Sequence, residues 1–273
     1  MNAAAARKRF PRGLAQPEDG YRFSLDSLLL AAWADPGAGA HVADLGCGCG
    51  VVGLGLLLAN PEKTLHITGI EQNSAMVCCA GENADRLHFS EQIDFVNNDV
   101  LSYAQQHAGA YDLCVSNPPY RKWRSGRRPT EPGRRAARFE TLQGDDGCRS
   151  NDCPEPETNG ETASAPPPGD LPRFLAAAAG LLRTRGRLAL VHLPERLADI
   201  ACHCREYGME PKRLRLVHSR AEEPARILLL EAVRGGRPGL TVEPPLVLYE
   251  GSGQDTRMTA RALAFCPWLA CNA

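Results

Sequence analysis

The chain has 273 residues, of which 43% are hydrophobic and 23% charged, and its formal net charge is −1. These values are ordinary for a globular protein and predict one large domain with a full core. The net charge gives no sign of a nucleic-acid partner, and the apolar runs fall short of the roughly 20 residues that a membrane helix needs. The basic N-terminus lacks the apolar region of a signal peptide, so we expect a cytoplasmic protein.

Strands and helices alternate along the chain. The predicted strands are residues 41–45, 66–71, 92–97, 111–116, 187–193, 212–218 and 225–233. The predicted helices are residues 50–60, 74–87, 171–182 and 195–207. This alternation predicts an α/β fold, a parallel sheet with helices on both faces. Residues 219–224 are too few for a helical crossover, so the last two strands should form an antiparallel hairpin and end a seven-stranded, mostly parallel sheet.

A helix is also expected before the first strand, in the run from Ser24 to Leu30. This run reads as an amphipathic helix that Ser24 caps. Its place directly before the first strand suggests a second role, in which it lies across a bound cofactor. Phe23 would then cover the cofactor and Asp26 would bond to it. Residues 1–20 are expected to be disordered.

A glycine turn, Asp44-Leu45-Gly46-Cys47-Gly48-Cys49-Gly50, follows the first predicted strand. Glycines let a ligand approach the backbone N–H groups, and the N-terminus of the next helix adds positive potential. We therefore expect Gly46, Gly48 and Gly50 to bind a cofactor that contains a nucleoside. The turn alone also fits a dinucleotide.

Acidic residues near the strand ends favour S-adenosylmethionine. Asp44 would repel a pyrophosphate but attract the ammonium or sulfonium of a methionine moiety. Glu71 ends the second strand, where a carboxylate can accept both ribose hydroxyls, although it could also be a solvated loop residue. Asp99 is placed to meet the adenine amino group, with Asn98 as its competitor and helix capping as the alternative.

The tetrapeptide Asn117-Pro118-Pro119-Tyr120 follows the fourth predicted strand. An amine attached to a planar π-system is a poor nucleophile, and acceptors aimed at its N–H bonds stabilise the charge that develops during methylation. The Asn117 side chain and the Pro118 carbonyl can supply two acceptors, and Asn117 should also lie beside the cofactor. Pro118 and Pro119 hold the backbone rigid, and Tyr120 offers a face for a planar base. A structural turn is the alternative, and adenine N6, guanine N2 and a glutamine amide all fit as acceptors of the methyl group.

Basic residues follow the tetrapeptide directly and predict contact with phosphate. The basic loop is residues 121–138, and its expected RNA-binding residues are Arg121, Lys122, Trp123, Arg124, Arg127 and Arg128. An acidic, proline-rich insertion at residues 140–170 is expected to be mobile and could instead neutralise this loop. Lys212, Arg213 and Arg215 form a second basic patch, for which plain solvated charge is the alternative.

No metal site is expected, although the chain has 11 cysteines. The odd count argues against a fully paired disulfide framework. The fragment Cys202-His203-Cys204 falls in a predicted helix and lacks a second pair of ligands at the spacing of a zinc finger.

Together these motifs resemble the bacterial adenine-N6 methyltransferases that modify the anticodon-adjacent adenine of a valine tRNA. The resemblance covers about Tyr21 to Tyr249 and rests on Tyr21-Arg22-Phe23-Ser24-Leu25-Asp26-Ser27, the glycine turn, the tetrapeptide and Pro211-Lys212-Arg213-Leu214-Arg215. It implies a Rossmann-like class I methyltransferase domain over residues 21–250 with a C-terminal tail at 251–273. It also implies S-adenosylmethionine as cofactor and an adenine of tRNA seated against the tetrapeptide. We expect a monomer.

The chain departs from the family where Ala137-Arg138-Phe139-Glu140 replaces the usual Ala-Arg-His-Glu, and in the acidic insertion. Two other classes share the chemistry of the tetrapeptide and stay as alternatives. They are the glutamine-N5 methyltransferases of release factors and the guanine-N2 methyltransferases of ribosomal RNA.

Overall fold

The computed structural model describes residues 3–17, 23–120 and 170–272. The helices are α1 (Ala3–Lys8), α2 (Leu25–Trp33), α3 (Val51–Ala59), α4 (Ser74–Leu87), α5 (Val100–Gln106), α6 (Asp170–Leu181), α7 (Leu197–Glu206) and α8 (Ala260–Phe265). The strands are β1 (His41–Leu45), β2 (His66–Glu71), β3 (Ile93–Asn97), β4 (Tyr111–Ser116), β5 (Leu182–His192), β6 (Met209–His218), β7 (Ala225–Arg234), β8 (Thr241–Val242), β9 (Leu246–Val247), β10 (Tyr249–Glu250) and β11 (Arg257–Met258). Short 3-10 helices span Pro194–Arg196, Gly253–Asp255 and Pro267–Asn272.

Within the described residues, nine strands form one sheet in the order β3-β2-β1-β4-β5-β7-β6-β8, with β9 also paired to β6. The strands β3, β2, β1, β4 and β5 are parallel to one another. β7 is antiparallel to both β5 and β6. The mostly parallel sheet and the late antiparallel hairpin are therefore confirmed, and β8 and β9 extend the seven predicted strands at the β6 edge.

The strand order reverses between β1 and β4, and this position fixes where a ligand can bind. In open α/β sheets, ligands bind at the carboxyl ends of the strands beside such a reversal. Leu45 at the end of β1 pairs with Ser116 at the end of β4, and the Ser116 hydroxyl donates a 3.0 Å hydrogen bond to the Leu45 carbonyl. The glycine turn and the tetrapeptide therefore leave the sheet side by side.

Alternating side chains of the strands belong to two hydrophobic cores, one on each face of the sheet. On one face, α2 and α3 pack with Val42 of β1 and Val115 of β4. On the other face, α5, α6 and α7 pack with Ala43 and Cys114 of the same strands. This period-two alternation is what a sheet covered on both faces requires.

Both ends of the chain differ from the expectation. The disorder predicted for residues 1–20 is wrong for the described residues 3–17, because Phe10 is only 2% exposed and its ring meets Trp268 with centroids 5.1 Å apart. The Arg7 guanidinium also donates a 2.9 Å hydrogen bond to the Leu87 carbonyl at the end of α4. The predicted tail at 251–273 carries α8, and Cys266 and Leu269 are buried in the core beside α2.

The structure also bears on the expectations about membrane helices and metal ligands. No helix in the described ranges combines the length and the apolar character needed to cross a bilayer. The fragment Cys202-His203-Cys204 lies on α7, where Cys204 is buried in the core and Cys202 is exposed. Across the same ranges, no three His, Cys, Asp or Glu side chains are grouped so that they could hold a metal ion.

Candidate active site

The glycine turn bends sharply because three of its residues adopt backbone angles that favour glycine. The φ angles of Gly46, Gly48 and Gly50 are 67°, 55° and 82°. A Cβ at Gly46 would lie 2.8 Å from the Phe174 ring, and one at Gly50 would lie 2.8 Å from the Phe95 ring. At Gly48, by contrast, no atom lies within 4 Å of the Cβ position. The backbone of Gly48 is thus open to a ligand.

The Glu71 carboxylate lies directly beside this opening. Its Oε2 accepts a 3.1 Å hydrogen bond from the Gly48 N–H, and its Oε1 accepts a 2.9 Å bond from the Asn73 N–H. The end of β2 and the glycine turn are therefore joined through one carboxylate. A negative group at this point suits ribose hydroxyls and opposes a pyrophosphate.

Asp44 lies beneath the turn and is 1% exposed. Its Oδ2 accepts a 3.0 Å hydrogen bond from the Gly53 N–H in the first turn of α3. Burial raises the pKa of Asp44 to about 7, and the nearby Glu71 carboxylate adds to the rise. The structure thus shows Asp44 holding the helix against the turn, and its direct contact with a cofactor ammonium stays a prediction.

Asp99 caps α5, which was the alternative to an adenine contact. Its Oδ1 accepts hydrogen bonds of 3.1 Å from the N–H groups of Leu101 and Ser102. Its Oδ2 forms a 2.5 Å ion pair with Arg173 of α6. Partial burial raises the pKa of Asp99, but the Ser102 N–H and the Arg173 guanidinium outweigh this and hold it below the ordinary value. The neighbouring Asn98 accepts a 2.8 Å bond from the Asp99 N–H, and adenine contacts of Asn98 and Asp99 stay predictions.

Asn117 is held by a residue of α2. Its Nδ2 donates a 2.9 Å hydrogen bond to the Oγ of Ser27, which is 4% exposed. This bond commits the amide nitrogen, and the described residues supply no hydrogen-bond donor to the Asn117 Oδ1. The amide is therefore oriented with an acceptor left for a ligand, which is the arrangement that methylation of an amine requires.

Tyr120 is fixed at both ends of its side chain. Its hydroxyl donates a 2.7 Å hydrogen bond to the Oδ2 of Asp26, and its ring lies 4.8 Å from the His192 ring between centroids, at 46°. Burial raises the pKa of Asp26, and the Tyr120 hydroxyl partly counters this rise. The start of α2 and the end of β5 thus hold the tyrosine between them.

The remaining predicted site residues on the described chain are Pro118, Pro119 and Phe23. Pro118 is buried, whereas Pro119 is exposed. Phe23 precedes α2, is partly buried, and packs against the core on the α2 side of the sheet. Its proposed contact with a cofactor stays a prediction.

The two predicted basic surfaces have different outcomes. The loop 121–138, with all its expected RNA-binding residues, lies outside the described residues, as does the insertion up to residue 169. Arg213 and Arg215 of the second patch are paired: both bind Glu243 at 2.8 Å, and Arg213 also reaches the buried Glu231 at 3.3 Å. Two of the three cations of this patch are therefore neutralised by acidic partners, and the third, Lys212, donates a 3.2 Å hydrogen bond to the Arg237 carbonyl.

Comparison with known proteins assigns the chain to a family. A family model described as the methyltransferase small domain matches residues 24–128. The tRNA1(Val) (adenine(37)-N6)-methyltransferase of Porphyromonas gingivalis is 30% identical over 215 residues, which are 76% of this chain and 72% of that protein. The chain belongs to the tRNA1(Val) (adenine(37)-N6)-methyltransferase family.

Other members of this family match over shorter stretches. The protein of the same name from Proteus mirabilis is 40% identical over 95 residues, and the match spans 37% of its length. Among solved structures, a predicted O-methyltransferase from Agrobacterium tumefaciens covers 89% of this chain and 96% of its own, with a TM-score of 0.62 and 21% identity. This likeness supports the fold, and the family membership rests on the sequence matches.

Three site residues of this family member were missed by the sequence reasoning: Ser27, Arg173 and His192. Ser27 stands next to Asp26 in the run that was expected to lie across the cofactor, and its bond to Asn117 spans 90 positions. His192 is a polar residue at the end of an apolar strand, which is a signal that could have been used. Arg173 follows Pro172 in an ordinary helix, and nothing in the sequence marks it.

Proposed function

We propose that this chain transfers a methyl group from S-adenosylmethionine to the exocyclic N6 of an adenine in tRNA. By family membership, the target is the anticodon-adjacent adenine of a valine tRNA. The observation that carries the proposal is the Asn117 amide, which Ser27 orients at the carboxyl end of β4, next to the glycine turn. A tRNA substrate agrees with the expected cytoplasmic location, and a monomeric state stays a prediction.

The residues around the glycine turn fit S-adenosylmethionine. The open backbone at Gly48 allows close approach, and the Glu71 carboxylate beside it can accept the two ribose hydroxyls in place of its bonds to the backbone. Two carboxylates near the turn, Asp44 and Glu71, favour a cationic methionine moiety over a pyrophosphate. S-Adenosylmethionine, when bound here, supplies an electrophilic methyl group on its sulfonium.

The tetrapeptide would prepare the amine for attack. The Asn117 Oδ1 and the Pro118 carbonyl accept hydrogen bonds from the two N–H groups of the amine, which favours a pyramidal nitrogen and stabilises its growing positive charge. The Tyr120 ring, held by Asp26 and His192, provides a fixed face for the base. Stacking on such a face is worth about 1–3 kcal/mol. The base has to leave its own stack to reach this site.

The test is methyl transfer from labelled S-adenosylmethionine to three substrates in parallel: unmodified tRNA, ribosomal RNA and a release factor. The proposal expects label in tRNA alone, recovered after digestion as N6-methyladenosine, and loss of that label with Asn117→Ala. Label in ribosomal guanine or in the release factor would favour one of the two alternative classes and would overturn the tRNA substrate.

A further inference from the structure

His192 has a buried hydrogen-bonding atom that the fold leaves unpaired. The residue ends β5 and is 1% exposed. Its Nδ1 accepts a 2.8 Å hydrogen bond from the Leu193 N–H, so a neutral ring carries its proton on Nε2. The Nε2 is buried and has no hydrogen-bond partner within the described residues. Native proteins pair nearly all buried donors, so this N–H calls for an explanation.

The position of His192 points to the substrate side of the site. β5 lies next to β4, and Leu190 pairs with Ser116, the residue before Asn117. His192 is thus level with the start of the tetrapeptide, and its ring contacts the Tyr120 ring with centroids 4.8 Å apart. The His192 ring, which carries the unpaired N–H, therefore lies beside the Tyr120 ring on which a planar base is proposed to stack.

The surroundings suit a neutral donor. The four residues before His192, Leu188 to Val191, are apolar and at most 1% exposed. Burial and the nearby Arg196 guanidinium lower the pKa of His192 to about 4, so the ring is uncharged at neutral pH. The Nδ1 of His192 has a structural role, because it accepts from the Leu193 N–H, whereas the Nε2–H has none within the described residues.

We propose that His192 binds the substrate base, its Nε2–H donating a hydrogen bond to N1 of the target adenine while Asn117 accepts from N6. This proposal rests on the proposed function and adds a determinant of base choice. Adenine N1 is an acceptor adjacent to the amino group. Guanine has an N–H at that position, so two donors would face each other and guanine would be rejected. A neutral donor also holds the base without protonating N1. Protonation of N1 would withdraw electrons from N6 and make that amine a weaker nucleophile.

The test combines protein variants with modified RNA. His192→Phe keeps a ring against Tyr120 and removes the donor, whereas His192→Gln offers an amide N–H near the position of Nε2. The substrates are anticodon stem-loops in which the target is adenosine, 1-deazaadenosine or 7-deazaadenosine, with S-adenosylmethionine at saturation. We expect His192→Phe to raise KM for the adenosine loop about tenfold, equivalent to about 1.4 kcal/mol, with kcat within about threefold. His192→Gln should recover most of the loss.

The decisive result is coupling between the two changes. The 1-deaza loop should cost the wild-type enzyme about tenfold in KM and should cost His192→Phe nothing further. Any intrinsic effect of the deaza base on N6 acts on both enzymes and cancels in this comparison. Independent, multiplying losses would overturn the proposal, and so would coupling with the 7-deaza loop in place of the 1-deaza loop.

A second readout does not depend on turnover. In protein labelled with ¹⁵N-histidine, the Nε2–H resonance that disappears in His192→Phe should shift when adenosine is added and stay in place with 1-deazaadenosine. His218, whose Nδ1 lies 2.8 Å from the Glu223 carbonyl, is the internal control. No shift with adenosine would overturn the proposal. If the wild-type enzyme methylates none of the loops, the proposed function fails, and this resonance alone decides the role of His192.

Discussion

The Nδ2 of Asn117 lies 2.9 Å from the Oγ of Ser27, which links the end of β4 to the first turn of α2. One residue earlier on the same helix, the Asp26 carboxylate accepts a 2.7 Å hydrogen bond from the Tyr120 hydroxyl. The first turn of α2 therefore holds the first and last residues of the tetrapeptide. This helix is part of the catalytic apparatus in our account, because it sets the direction of the amide and of the aromatic face.

Replacing Ser27 tests the orientation of Asn117. Ser27→Ala removes the acceptor for Nδ2, and we expect kcat to fall about tenfold, the effect of losing one hydrogen bond of about 1–1.5 kcal/mol. The KM for S-adenosylmethionine should stay within about twofold, since Glu71 and the glycine turn are unchanged. Steady-state methyl-transfer kinetics measures both, with Ser74→Ala on an exposed position of α4 as the matched control. An unchanged rate in Ser27→Ala would show that the amide needs no such support.

Two substitutions at Tyr120 separate its ring from its hydroxyl. Tyr120→Phe keeps the stacking face and loses the bond to Asp26, so we expect a loss in kcat/KM for RNA of less than about tenfold. Tyr120→Ala removes the face as well and should cost about 10- to 100-fold, the range expected for one base–aromatic stack. Steady-state kinetics on the same tRNA compares them. Equal losses in the two variants would mean that the base does not stack on this ring.

Glu71 should contribute to the affinity for S-adenosylmethionine and not to the affinity for RNA. Glu71→Ala removes the acceptor beside Gly48, and we expect S-adenosylmethionine to bind about 10- to 100-fold more weakly, as for two lost hydrogen bonds. Isothermal titration calorimetry without RNA measures this directly. Glu82→Ala, at an exposed position of α4, is the control for loss of one negative charge. Equal affinity in the wild type and Glu71→Ala would remove Glu71 from the cofactor site.

Asp44 should make the stability of the protein depend on pH. Its pKa is raised from 3.8 to about 7 in the folded state. A raised pKa stabilises the fold at pH values below 3.8, and this contribution is lost as the pH rises to about 7. Asp44→Asn keeps an acceptor for the Gly53 N–H and abolishes the titration. We therefore expect Asp44→Asn and the wild type to be equally stable below pH 3.8. Above pH 7 the variant should be about 2–4 kcal/mol more stable.

Urea unfolding without cofactor at several pH values checks the Asp44 prediction. The quantity of interest is the difference in unfolding free energy between the variant and the wild type, because carboxylates remote from Asp44 titrate equally in both. A difference that does not change with pH would mean that Asp44 has the same pKa in the folded and the unfolded protein.

The local elements of the fold could be predicted because their signals lie within short stretches of sequence. β1, β2, β4 and α4 begin and end at the predicted residues, since alternation or helical periodicity defines them and glycine, asparagine or proline flanks them. α5 was missed, because seven residues, Val100–Gln106, are too few for a clear period. Its cap Asp99 was recognised as a possible helix start, but the helix itself was not.

The long-range parts of the site could not be predicted from local patterns. The tetrapeptide and the glycine turn were found because each is a motif that carries its own chemistry. The bond from Ser27 to Asn117 and the contact of His192 with Tyr120 depend on which strands and helices become neighbours. In the same way, the arginines of β6 looked like a free basic surface because their partners Glu231 and Glu243 lie on other parts of the chain.

The most direct test of the account is to locate the methyl group on one defined RNA. Valine tRNA transcripts with adenine or guanine at the anticodon-adjacent position are incubated with the enzyme and S-adenosylmethionine, and the digested nucleosides and anticodon-loop fragments are analysed by mass spectrometry. We predict one methyl group per adenine transcript, found as N6-methyladenosine in that loop, and none on the guanine transcript or with Asn117→Ala. A methyl group at any other atom, or full activity of Asn117→Ala, would contradict the account.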